Sequence, residues 1–148
     1  MTLTERISDE LKKAMLAKDA DRLSTLRLLK SAIGYVQIEK RNENLPDAEI
    51  ISVIQKEIKK RRDAIEQYEK GGRPEQAAKE KAEATVLESF LPQALPAAEL
   101  EQLVKTTIQE LGATTKKDMG AVIKAVQAKA AGRADGKTIS QLVGKLLP

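Results

Sequence analysis

The sequence contains no cysteine and no histidine, and its 148 residues include only three aromatic ones, Tyr35, Tyr68 and Phe90. Without cysteine the chain can form no disulfide, no thiolate metal site and no Cys nucleophile. Without histidine it lacks the commonest acid–base group and the commonest metal ligand. We therefore expect no catalytic residue, no metal site and no cofactor, and neither glutamine nor ATP should be hydrolysed.

Long apolar runs are also missing. Residues 1–15 lack the uninterrupted apolar segment of a signal peptide, and no run approaches the roughly 20 apolar residues that span a bilayer. These absences predict a cytoplasmic protein that does not contact membranes. The net charge of +4 is a mild bias towards polyanionic partners.

Apolar residues recur at intervals of three and four, and no segment alternates with period two, which predicts an all-α fold without a sheet. Thr2 and Glu5 have capping-box spacing, and Pro46 and Pro74 suit helix starts. The pattern predicts an N-terminal four-helix domain followed by a small three-helix domain. The fourth helix is expected to bury one apolar stripe, formed by Ala78, Ala82, Val86 and Phe90.

The clearest break in the chain is at Pro92 and Pro96, because two prolines four residues apart cannot both lie inside one helix. We therefore predict domains at 1–92 and 97–148. The second is small enough that its core should be only marginally stable alone.

The region from Gly112 to Leu147 is predicted to form two short helices joined by a turn that contains glycines. Thr115 and Asp118 have the spacing of a capping box at the first helix start. Gly132 is expected to end that helix in a left-handed conformation. Asp135 is expected to cap the next helix by accepting from the backbone of Lys137 or Thr138.

Positive charge is concentrated in the same region. From Leu111 onwards there are two acids, Asp118 and Asp135, and seven basic residues: Lys116, Lys117, Lys124, Lys129, Arg133, Lys137 and Lys145. Lys116 and Lys117 open a helix, where cations oppose the macrodipole, so a bound anion would explain them.

Arg133 and Lys137 bracket a helix N-terminus whose free N–H groups favour phosphate. We predict an RNA-binding site made of Lys116, Lys117, Arg133 and Lys137, flanked by Lys124. Gly132, Asp135 and Gly136 would shape its turn. An ordinary basic surface is the alternative interpretation of the same residues.

Two further patterns give weaker evidence of a binding site. Residues 132–138 end in Gly-Lys-Thr, but three residues separate the glycines where a P-loop needs four, and a helix precedes them where a P-loop needs a strand. Nucleoside triphosphate binding is therefore not predicted. The basic run 59–62 covers all sides of a helix and has acids within reach, Glu57 among them, so we interpret it as a solvated surface.

Five motifs in order resemble the YqeY family, also called GatB/YqeY-like proteins. They are Leu26–Ile33, Tyr68–Arg73, Leu91–Leu95, Gly112–Gly120 and Gly132–Lys137. Each motif alone is weakly specific, whereas the ordered set covers nearly the full chain. Pro96 departs from the pattern, since relatives usually have a Ser or Thr helix cap there.

The resemblance implies a helical N-terminal domain followed by a small helical domain. The latter is similar to the tail of the B subunit of tRNA-dependent amidotransferases and to a domain appended to some glutaminyl-tRNA synthetases. In those proteins this part grips tRNA, while the amidation chemistry lies elsewhere.

Three functions follow from the sequence. The first is a non-catalytic accessory protein that binds tRNA through its C-terminal domain. The second is a protein-interaction or assembly factor without RNA binding. The third, by family transfer, is a carbon–nitrogen ligase that uses glutamine as nitrogen donor, against which the missing Cys and His argue.

Overall fold

The computed structural model of the chain describes residues 1–148 and contains seven α-helices, one 3₁₀ helix and no strand, which confirms the all-α class. The helices are α1 (Leu3–Leu16), α2 (Ala20–Lys40), α3 (Asp47–Lys70), α4 (Pro74–Glu88), α5 (Ala97–Leu111), α6 (Met119–Ala130) and α7 (Gly136–Leu146). The 3₁₀ helix spans Lys116–Asp118 and leads directly into α6. None of the helices is both long and apolar enough to cross a membrane.

Contacts within the chain group its residues into two compact units, Met1–Leu91 and Pro92–Pro148. The first unit holds α1 to α4, and the second holds α5 to α7 with the 3₁₀ helix. These contacts do not test whether each unit folds independently, so the domain limits 1–92 and 97–148 stay a prediction.

Local capping chemistry sets several helix starts as expected. At α1, the Thr2 hydroxyl accepts from the Glu5 N–H, and the Glu5 carboxylate accepts from the Thr2 N–H. At α2, the Asp19 carboxylate accepts from the Arg22 N–H at 3.2 Å. Pro74 occupies the first position of α4, where no amide hydrogen is needed.

The first unit closes around an apolar core to which all four helices contribute, and α3 with α4 forms its most extensive helix pair. Its fully buried side chains include Leu26, Ile50, Leu87 and Phe90. Removing such chains from water supplies most of the stabilisation, about 2 kcal/mol each.

The predicted stripe of α4 is wrong in its first half. Ala78 and Ala82 are exposed, whereas Ala77, Ala84 and Leu87 are buried. This helix has alanine on several sides, so its apolar pattern does not select one face. The buried alanines lie on the side of α4 that carries Leu87, and Phe90 is buried just beyond the end of the helix.

The second unit packs α5, α6 and α7 around a smaller core in which four of the seven buried residues are valine. Two close approaches show that α6 and α7 run antiparallel. A Cβ added to Gly144 would lie 3.4 Å from Met119 Cε, and one added to Gly136 would lie 3.1 Å from Gln127 Nε2. The start of α6 therefore lies beside the end of α7.

Candidate nucleic-acid interface

The start of α6 is built from a single tight turn. The Asp118 carboxylate accepts from the Thr114 and Thr115 N–H groups at 3.1 and 3.4 Å, which is the acid half of the expected capping box. The first turn is 3₁₀ rather than α-helical, and Lys116 and Lys117 are exposed on it. The aspartate therefore offsets part of the unfavourable field that two cations meet at a helix start.

The turn between α6 and α7 contains two consecutive residues with positive φ. Ala131 has φ 48° and caps α6, and Gly132 follows at φ 84°. Gly132 has the expected left-handed φ, but the C-cap residue is Ala131 before it, whose N–H still bonds to the Gln127 carbonyl. The cap at Asp135 is confirmed, with its carboxylate accepting from the Thr138 N–H at 2.7 Å.

Arg133 joins this turn to the start of the unit. Its Nε donates to the Gln93 carbonyl at 2.9 Å, and its own carbonyl accepts from the Leu95 N–H at 2.8 Å. Sequence reasoning missed this tie because no local pattern indicates a contact between residues 40 positions apart. The Nε–H of the Arg133 guanidinium is therefore already used in a hydrogen bond to the segment 92–96.

Gly136 has a packing role that the sequence did not reveal. It is the first residue of α7, and a Cβ there would lie 3.1 Å from Nε2 of Gln127, so the end of that exposed side chain would have to shift by a few tenths of an ångström. Gly136 therefore lies in close contact with α6 at this end of the helix pair.

The antiparallel helices separate the predicted site residues into two groups. Arg133 and Lys137 lie at one end of the pair, and Lys116 and Lys117 lie at the other. The 12 residues of α6 span about 18 Å between these ends. Lys124 is exposed midway along α6. The five cations therefore form an extended row, and no single phosphate can contact both ends.

Lys145 extends that row, although the sequence analysis did not include it in the site. It is exposed and follows Gly144, which packs against Met119. This places its backbone at the same end of the helix pair as Lys116 and Lys117. The antiparallel arrangement of α6 and α7 would have identified it, whereas charge counting along the chain does not.

Most of these cations are not neutralised within the chain. Lys129 pairs with Glu110 and donates to the Thr107 hydroxyl at 3.3 Å. Lys116, Lys117, Lys124, Lys137 and Lys145 make no ion pair. The carboxylates of Asp118 and Asp135 accept from backbone N–H groups, as described above. The outer surface of α6 and α7 is therefore positively charged.

The basic run 59–62 on α3 is arranged differently, and its interpretation as a solvated surface is wrong at Arg61. That side chain is 9% exposed and lies 3.1 Å from Glu57 and 3.4 Å from Glu83 of α4. Lys60 pairs with Glu57 at 3.2 Å, and Arg62 pairs with Glu88 at 3.4 Å. This cluster therefore serves to join α3 to α4.

Comparison with known proteins identifies relatives along nearly the whole chain. A family model described as Yqey-like protein matches residues 4–147. The chain is 32% identical over 133 residues to the altered inheritance of mitochondria protein 41, mitochondrial, of Kluyveromyces lactis, covering 90% of this chain and 69% of that protein.

The protein of the same name from Eremothecium gossypii is 33% identical over 97 residues, which are 66% of this chain and 52% of that protein. An uncharacterized protein of Schizosaccharomyces pombe is 34% identical over 87 residues, which are 59% of this chain and 70% of that protein. The matches thus span between 52% and 70% of these relatives' own length.

Proposed function

The chain belongs to the Yqey-like protein family, and on that basis we propose that it is a non-catalytic accessory protein that binds tRNA through residues 92–148. The observation that carries the proposal is the row of exposed cations on α6 and α7 described above. Five of these lysines have no ion-pair partner in the chain, so they are available to an external polyanion.

The spacing of the row favours a ligand with many phosphates. Because the two ends of α6 are about 18 Å apart, one ligand can engage both only if its phosphates extend over that distance. A folded RNA has this property, and recognition of this kind reads backbone shape rather than bases. We further propose that the protein acts in the cytoplasm, although two of the relatives named above carry the word mitochondrial in their names.

A gel shift of the full chain against total tRNA at low salt tests the proposal. The first variant, Lys116→Glu with Lys117→Glu, changes one end of the row. The second, Lys124→Glu with Lys137→Glu, changes the middle and the other end while leaving the Arg133 tie to Gln93 intact. We expect each to weaken binding at least tenfold, which is about 1.4 kcal/mol.

The matched control is Lys12→Glu with Lys59→Glu, which makes the same charge change at two exposed lysines of the first unit that have no ion pair. We expect the control to bind nearly as well as the wild type. Equal weakening by all three variants would mean that only the net charge matters. If the wild type fails to bind tRNA at low salt, the assembly-factor alternative replaces this proposal.

A further inference from the structure

The first unit exposes apolar side chains along one face of α2. Leu28 is 52% exposed, Tyr35 is 76% exposed and Ile38 is 77% exposed. Their positions differ by seven and three residues, so they lie on the same side of the helix. Large apolar residues scattered singly are ordinary on a protein surface, whereas several aligned on one helix indicate a site of interaction.

This face forms one wall of a groove between α2 and α3. Two hollows of about 310 and 390 Å³ adjoin each other and share Leu28 and Ser31. Only the second hollow has walls from both helices, from α2 between Leu28 and Val36 and from α3 between Val53 and Arg61, whereas the first hollow is lined by α2 alone. The part with two walls follows nine residues of α2, about 13 Å, which matches two to three turns of a docked helix.

The charges around the groove are mainly positive. The lining includes four cations (Arg27, Lys56, Lys60 and Arg61) and one carboxylate, that of Glu57. Glu57 is already bonded to Lys60 and Arg61. Arg27 of α2 and Lys56 of α3 make no ion pair in the chain. A partner therefore meets an apolar surface with an unpaired cation on each helix.

We propose that the groove between α2 and α3 binds an amphipathic helix of a partner protein, with acidic residues beside its apolar stripe. The apolar stripe would cover Leu28 and Tyr35, and the acidic residues would pair with Arg27 and Lys56. Recognition of this type uses anchors at i, i+3 or i+4, and i+7. It lies in the first unit and does not depend on the tRNA proposal.

Charge also argues against a second copy of the chain as the occupant. A two-fold contact through this face would bring the same surface of both copies together. The mainly positive lining of one copy would then meet the same lining of the other, and like charges across an interface are unfavourable. An acidic helix meets no such penalty.

A displayed library of helical peptides of about 18 residues tests the proposal with the full chain as bait. We expect the enriched peptides to show apolar residues at helical spacing flanked by Asp and Glu. Their affinity should fall at least about tenfold for Leu28→Ser with Tyr35→Ser, since aromatic anchors dominate such interfaces. It should also fall for Arg27→Glu with Lys56→Glu.

Leu111→Ser is the matched control, because Leu111 is similarly exposed, at 51%, but lies in the second unit. We expect it to leave peptide affinity unchanged. All the substitutions fall on exposed side chains, and the circular dichroism of each variant verifies its fold. Unchanged tRNA affinity in the groove variants is expected as well, since the groove is outside the cation row.

The proposal is overturned if no peptide is enriched, or if the enriched peptides are basic or lack helical spacing. It is also overturned if they bind the two groove variants as well as the wild type. Sedimentation of the wild type at high concentration tests whether a second copy of the chain occupies the groove instead. A dimer that Leu28→Ser with Tyr35→Ser abolishes would assign the groove to a second copy instead.

Discussion

Arg61 shows how one buried cation can organise two helices. It lies between α3 and α4, within 3.4 Å of carboxylates on both, and these three side chains are at most 16% exposed. A nearly buried charge is tolerated only when it is paired. Its Nε is buried without a hydrogen bond, and the nearest acceptor is the Glu83 carboxylate. The side chain therefore joins the helices electrostatically, although its Nε makes no hydrogen bond at 3.4 Å from the Glu83 carboxylate.

Replacing Arg61 by alanine should lower the free energy of unfolding by about 3 kcal/mol, because Glu57 and Glu83 lose their shared counter-charge in a nearly buried position. Lys59→Ala, an exposed neighbour without an ion pair, should change it by less than about 0.5 kcal/mol. Urea denaturation measures both. Similar effects of the two substitutions would show that burial of Arg61 contributes little.

Glu80 lies in the same cluster and gives it a pH dependence. Burial raises the pKa of Glu80 above its ordinary value of 4.5, and the negative charge of Glu83 adds to the rise, partly opposed by Arg61. The folded state then binds the proton more tightly than the unfolded state. The stability that this tighter proton binding contributes is fully present below pH 4.5 and is lost as the pH rises through the pKa of Glu80 in the folded state.

Glu80→Gln should therefore raise the urea midpoint at pH 7, where the wild type carries the unfavourable charge. The gain should disappear at pH 4 and below, where the glutamate is largely protonated in both states. Urea titrations at the two pH values measure the difference. A lower midpoint for the variant at pH 7 would mean that attraction to Arg61 outweighs the burial of the carboxyl.

Helix boundaries were predictable from the sequence where they depend on neighbouring residues. The caps at Thr2, Asp19 and Asp135 follow from side chains that bond to backbone within three positions. The buried side of α4 was not predictable, because alanines occur on several sides of the helix and the apolar pattern does not indicate which side faces the core. Packing against the other helices of the unit selects the face, and that information is spread over the whole chain.

The segment 92–96 is held by distant contacts that can be tested by proteolysis of the full chain. Arg133→Ala should speed elastase cleavage after Ala94 about fivefold, since losing one hydrogen bond costs about 1 kcal/mol of local stability. Mass spectrometry identifies the fragment that ends at Ala94. Trypsin is unsuitable because the segment has no lysine or arginine.

Lys137→Ala is the control for this measurement, because Lys137 is exposed near the same turn but makes no bond to the segment. It should leave the cleavage rate unchanged. Equal acceleration by both substitutions would attribute the effect to a general loosening of the turn, and no acceleration by Arg133→Ala would show that its bond to Gln93 does not hold the segment.

At the scale of the whole molecule, the two units differ in how much apolar surface they bury. The core of the first unit contains 13 buried residues and that of the second contains seven. Because hydrophobic stabilisation follows the apolar area removed from water, the first unit should be the more stable part.

Fragments 1–91 and 92–148, prepared separately, should therefore differ in their free energy of unfolding extrapolated to zero urea, with the first fragment higher. Circular dichroism at each urea concentration follows the loss of helix. A higher free energy of unfolding for 92–148 would contradict the inference from core size. Failure of 1–91 to fold alone would contradict the predicted domain limits.

The candidate site was predictable in composition but not in arrangement. Counting charge along the chain located the cations of α6 and α7, because that requires only residue identity. It could not show that Lys145 lies near Lys116. It also could not show that Arg133 is bonded to Gln93, since both facts depend on how distant segments pack.

The central claim is that the cations of α6 and α7 hold RNA phosphates, and the salt dependence of tRNA affinity tests it most directly. Fluorescence anisotropy of labelled tRNA gives the association constant across salt concentrations. Each lost phosphate contact should reduce the slope of log affinity against log salt by about 0.7 to 0.9. Lys116→Glu with Lys117→Glu, and Lys124→Glu with Lys137→Glu, should each lower it by about twice that amount.

The control Lys12→Glu with Lys59→Glu should leave the slope unchanged. Slopes of the α6–α7 variants equal to that of the wild type would contradict the account, because the replaced lysines would then contact no phosphate.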